Sequence, residues 1–168
     1  MVEIKIVVDK LRIQYEGIFS VPELYQTIDN WLREKGYDKQ ERKNVEKVSP
    51  KGKQIELILQ PWKKITDYAK IIISIRLIAQ DITEVEVERD GAKLLMNQGK
   101  LSLVLDGWLQ TDYESKWEGK PIFYFLRTVF DKYIYKPYTM GYEGAVGKDV
   151  GDLHTELKSF LNLYRYKS

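Results

Sequence analysis

Between residues 68 and 113 the chain alternates apolar and polar side chains for longer than an ordinary strand runs. Ile71, Ile73, Ile75, Leu77 and Ala79 alternate with Lys70, Ser74, Arg76 and Gln80. Leu101, Leu103, Leu105 and Leu109 repeat the pattern within Lys100–Tyr113. A period of two marks a strand with one buried face. Tyr68–Gln80 and Lys100–Tyr113 therefore predict strands of about 13 residues, against the usual five or six. Strands of that length twist and coil, so the pattern predicts a strongly curved antiparallel sheet, half wrapped around whatever covers it.

The flanking segments complete the pattern. Residues 2–16 carry Ile4, Ile6 and Val8, then Leu11, Ile13 and Tyr15, so the period slips near Asp9-Lys10. Either a bulge in one long strand or a hairpin turn produces such a slip. Ser20 as cap, Pro22 in the first turn, Leu24, Ile28, Trp31 and Leu32 at helical spacing, and Gly36 as terminator predict a helix over 21–35. Six strands are then expected in a meander. Lys43–Val48 and Gln54–Gln60 flank the Ser49-Pro50-Lys51-Gly52 turn. Tyr68–Gln80 is followed by Ile82–Arg89, with Asp90-Gly91 as a hairpin turn. Lys93–Asn97 is separated from Lys100–Tyr113 by a turn at Gly99.

Pro121–Tyr135 reads as a helix with a broad stripe from Ile122 to Ile134. Leu153, Leu157, Phe160, Leu161 and Tyr164 mark a last helix, capped by Asp149 or Asp152. The expected fold is thus α+β: a curved antiparallel sheet of about seven strands packed on a long C-terminal helix at 121–135. An extra terminal helix follows. Residues 1–168 form a single domain, with its core at 2–136, a Gly-rich connector at 138–149 and the terminal helix at 150–164.

Several function classes are narrowed at once. Twenty-seven basic and twenty-five acidic side chains leave a net charge of +2, which gives no electrostatic argument for nucleic acid. The absence of cysteine removes disulfides, thiolate metal sites and a Cys nucleophile, and a single histidine removes multi-His sites within one chain. No apolar run is long enough to span a bilayer. The opening Met1–Ile6 lacks the features of a signal peptide, so a cytoplasmic location is expected. Abundant Lys, Glu, Ile and Tyr without Cys lean toward a thermophile.

The loudest motif is MGYEGAVGKDVG, residues 140–151. A phosphate-binding P-loop would need glycine at position 142 and a hydroxyl at 149, where the chain has Tyr142 and Asp149. The glycines are read as a connector between two helices, with a gate over a pocket mouth as the other option. His154 has no orienting carboxylate facing it on a helix, so it reads as a surface or boundary histidine. Asp106 and Asp112, with Trp108, are functional if their face lines a cavity and solvated if it faces water. Glu84, Glu86 and Glu88 form an acidic ladder on one strand face, either solvated or a patch for a cation or a basic partner. Aromatics gather from Tyr113 to Tyr142 and suit a pocket wall, a protein interface or simply a core.

The element order of strand, helix, antiparallel run and helix resembles the helix-grip fold of the START-domain and polyketide-cyclase-like superfamily (SRPBCC). The resemblance covers about residues 2–136 and rests on order and strand length. It implies a cavity between sheet and helix that binds a lipid or another apolar small molecule. Ile71, Ile73, Ile75, Leu101, Leu103, Leu105, Phe125, Val129 and Tyr133 would line it. No catalytic set, metal site or cofactor is assigned, and a non-enzymatic binder is expected. The alternative is a protein-interaction or homo-oligomerisation module without a small-molecule ligand.

Overall fold

The computed structural model describes residues 3–111 and 136–167. The elements are β1 (Glu3–Phe19), α1 (Val21–Lys35), β2 (Glu41–Ser49), β3 (Gly52–Leu59), β4 (Trp62–Lys64), β5 (Ala69–Arg89), β6 (Ala92–Thr111) and α2 (Lys136–Lys167). The fold is α+β. Six antiparallel strands form one open sheet in the order β1-β6-β5-β3-β2, with β4 paired to the start of β5. The first and last strands lie side by side, as Ile13↔Leu103 and Tyr15↔Leu101.

Six strands rather than about seven arise because two expected breaks are not breaks, which leaves five of the seven, and the short β4 adds one that was not expected. Tyr68–Gln80 and Ile82–Arg89 belong to one strand of 21 residues. Asp81 takes a left-handed φ of 56° and shifts the register between Gln80 and Thr83. This is a bulge, which adds a residue and bends the strand without ending it. Lys93–Asn97 and Lys100–Tyr113 likewise merge, into a strand of 20 residues that ends, as described, at Thr111. Gly99 is not a turn. A Cβ there would lie 2.5 Å from Ile82 Cδ1 and 2.8 Å from the Gln80 carbonyl oxygen. Glycine is needed because the bulge presses its backbone onto β6.

The slip at Asp9-Lys10 is a bulge in one continuous strand. Lys10 has a φ of 54°, the register shifts on either side of Val8, and Asp106 Oδ1 accepts the Lys10 backbone N–H at 2.8 Å. Strand β4 escapes the period because it has only three residues beside Pro61, whose carbonyl accepts from Ile73 N at 2.9 Å.

Helix α1 has the expected bounds and caps. Ser20 Oγ accepts from Glu23 N at 3.3 Å, and Gly36 at φ 79° lets Tyr37 N reach Leu32 O at 2.8 Å. Its buried residues Val21, Leu24, Ile28, Trp31 and Leu32 form one stripe.

The residues expected as a connector are helical instead. α2 runs without interruption through 138–149, and Asp149 and Asp152 sit inside it rather than at its start. Val146, Val150, Leu153, Leu157 and Leu161 recur at helical spacing and are at most 2 % exposed. A Cβ at Gly141, Gly144, Gly147 or Gly151 would meet nothing within 4 Å. Each glycine costs the helix about 1 kcal/mol relative to Ala, and burial of each Val or Leu contributes about 1.5–3 kcal/mol. Tertiary packing therefore outweighs local propensity. The expected helix at 121–135 lies outside the described residues. The C-terminal helix seen against the sheet is α2.

One sheet face, with α1 and α2 on it, holds the core. α2 packs closely on β6 at Gly107, where a Cβ would lie 2.7 Å from both Val146 Cγ1 and Val150 Cγ2. No helix among the described residues is long and apolar enough to cross a membrane.

Candidate functional site

Ile71, Ile73, Ile75, Leu101, Leu103 and Leu105 come together on the core face, each at most 3 % exposed. They pack in one cluster with side chains of α1 and α2. Phe125, Val129 and Tyr133, and with them Asp112, lie outside the described residues.

Among the described residues, hollows occur along α1, where the helix bridges toward β3 and the far ends of β5 and β6. The start of α1 is tied down by Asn97 of β6, whose Oδ1 accepts Val21 N at 2.9 Å. Tyr25 stands one turn further on, between two hollows. The larger, of ≈ 370 Å³, is lined by Val21, Pro22, Ile55, Ile82, Leu95 and Met96, with Ser20, Glu46, Lys53, Glu84 and Asn97 as its polar groups. The smaller, of ≈ 140 Å³, is lined by Ile28, Leu57 and Leu59 with Asp29, Lys39, Glu41 and Asn44. Tyr25 lines both.

The charged rim is largely self-paired. Lys53 Nζ lies 3.5 Å from Glu46 Oε2 and Lys39 Nζ 2.9 Å from Asp29 Oδ1. Asn44 donates to Glu41 Oε1 at 3.1 Å. The Tyr25 hydroxyl, by contrast, is buried and has no hydrogen-bond partner among the described residues. Burial, and then the charges of Glu46 and Glu41, push its pKa upward. It remains a protonated donor at neutral pH. An orphaned buried hydroxyl costs about 1–3 kcal/mol. Sequence reasoning missed Tyr25. Its only signal was a polar-tipped ring beside Leu24 and Ile28 of the buried stripe.

A second polar cluster joins α1, β4 and α2. Tyr37 donates to Asp149 Oδ2 at 2.6 Å, and Lys63 Nζ donates to the same oxygen at 3.2 Å. The Lys63 ammonium also lies 4.8 Å from the centre of the Tyr37 ring, which stacks on Trp31 at 5.7 Å. Burial, the hydrogen bond to Asp149 and the carboxylate charge all raise the Tyr37 pKa far above its ordinary value. Such a phenol is not a base. It and Lys63 satisfy Asp149, so the cluster is a structural joint.

This joint gives a pH prediction. Tyr37 keeps its proton in the folded chain when the unfolded chain, with an ordinary pKa near 10, has lost it. Its contribution is complete below that pH and is lost as pH rises further, by about 1.4 kcal/mol per unit. Urea unfolding from pH 9 to 11 should show this loss, and Tyr37→Phe should reduce its slope. Tyr25 shifts in the same direction, so a smaller slope should remain.

The other candidates separate cleanly. Asp106 lies on the outer sheet face, engaged by the Lys10 N–H of the bulge. Glu84, Glu86 and Glu88 are exposed, and Glu84 reaches the rim of the larger hollow. His154 is half-buried on α2. No group of three or more potential metal ligands occurs among the described residues. Asp149, the residue that spoils a P-loop, is the anchor of the joint.

No protein-family model, no curated protein and no solved structure matches the chain.

Proposed function

We propose that the protein binds a lipid-like or other apolar small molecule carrying a hydrogen-bond acceptor. The reading is carried by the Tyr25 hydroxyl, buried without a partner among the described residues between two hollows whose linings mix apolar side chains with polar and charged ones. Ligand sites commonly take this form, a concave apolar surface with a few polar groups that fix orientation. The helix-grip resemblance implies the same ligand class; the helix it assigns to the grip, 121–135, lies outside the described residues. The ligand's apolar body would lie against Val21, Ile55 and Met96, and its acceptor would face Tyr25. No bond is made or broken in this scheme.

Titration with a dansylated medium-chain fatty acid tests it. One saturable site is expected, weakened about tenfold by Tyr25→Phe, the ~1.4 kcal/mol expected of one hydrogen bond. Met96→Trp, which fills the larger hollow, should weaken it further. Binding unchanged in both variants would remove the hollows from the account. A second reading, pairing of two copies, is favoured by Ile4 and Ile6, 58 % and 59 % exposed on the edge strand β1. Sedimentation of wild type and Ile6→Lys decides it: a dimer that the substitution splits supports pairing, and a monomeric wild type rejects it.

A further inference from the structure

On the outer sheet face, opposite the core, the register aligns Arg12, Val104, Arg76, Ile58 and Lys43 in a row across β1, β6, β5, β3 and β2. Four residues along β6 from Val104, half-buried Trp108 lies on the same face. Arg12, Arg76 and Lys100 are exposed and make no ion pair with any described residue. Of the acids on this face, Glu56 meets Lys43 at 2.9 Å and Asp106 accepts the Lys10 N–H, whereas Glu16 stands opposite Lys100 in the register without pairing with it. Beside the arginine row is a hollow of ≈ 390 Å³, with Gln14, Gln80 and Ser102 among its polar lining and Ile78 among its apolar lining.

The geometry points to this outer face as a binding surface for single-stranded nucleic acid. Guanidinium groups meet phosphates through paired N–H donors. The amides and hydroxyl of the hollow carry both donors and acceptors, as a base edge does, and Trp108 offers a stacking surface. A strand rather than a single phosphate is indicated because Arg12 and Arg76 stand two interstrand gaps apart, about 9.5 Å, on either side of Val104. The surface is distinct from the hollows along α1 and does not depend on the reading given to them.

Fluorescence anisotropy with end-labelled dT20 and the full chain tests the inference. Binding should appear at low salt, weaken steeply as salt rises, and exceed binding to polyphosphate of equal charge. Arg12→Gln/Arg76→Gln, both on exposed positions and checked by unchanged thermal unfolding, should weaken it at least tenfold. It should also flatten the salt dependence by about the two phosphate contacts removed. No binding at low salt would overturn the assignment. So would equal affinity of the variant, or polyphosphate binding as tightly as dT20.

Discussion

Asp149→Ala should destabilise the protein by about 3 kcal/mol, the low end of the cost of removing one partner from a buried ion pair. The carboxylate accepts from both Tyr37 and Lys63, and its side chain is 13 % exposed. Removing it deprives the buried Tyr37 hydroxyl of that acceptor. Lys63, 31 % exposed, can turn toward solvent, and this holds the effect near the low end of the range. Asp149→Asn should cost less, because an amide oxygen still accepts from Tyr37. Thermal unfolding should fall by roughly 6–12 °C for the alanine variant, at 2–4 °C per kcal/mol for a chain of this size. Equal melting of the Asp149→Ala variant and the wild type, measured at neutral pH, would show that the joint contributes nothing.

Gly107→Val should be comparably damaging for the opposite reason. Valine suits a strand better than glycine by up to about 1 kcal/mol. Against this, its Cβ would fall 2.7 Å from methyl groups of both Val146 and Val150. Those side chains are β-branched, fully buried and stiff on their helix, so α2 must move away from β6. Overpacking of this kind costs about 1–3 kcal/mol, and two simultaneous clashes place the variant at the upper end. The smaller Gly107→Ala should be partly rescued by Val150→Ala, which clears one of the two contacts. Denaturant unfolding of the single and double variants measures that coupling. A neutral Gly107→Val would mean that α2 does not pack on β6 as described.

Both residues show where sequence reading reaches its limit. Helix α1 was legible because Ser20, Pro22 and Gly36 are local signals that tertiary contacts reinforce. The core face was legible because Ile71 to Ala79 and Leu101 to Leu109 keep their period. The bulge at Asp81 was not, since an extra residue and a turn interrupt the period alike, and the close approach at Gly99 depends on a neighbouring strand. The glycines of 141–151 suggested a loop, because propensity is local and the stripe from Val146 to Leu161 is stable only against its tertiary partners. The pairing of Tyr37 with Asp149, 112 residues away, leaves no local mark. The alignment of Arg12 with Arg76 was hidden in the same way, because only strand register brings them into one row. Tyr25 is an intermediate case, visible as an aromatic on α1 but distinguished only by what its hydroxyl fails to meet.

Native mass spectrometry of the purified protein, beside organic extraction of the same sample, tests the binding account most directly. The account predicts an apolar molecule retained at about one per chain, released on extraction and lost from the Met96→Trp variant. A wild-type chain that carries no such molecule, and takes up none when incubated with an extract of cellular lipids, would contradict it.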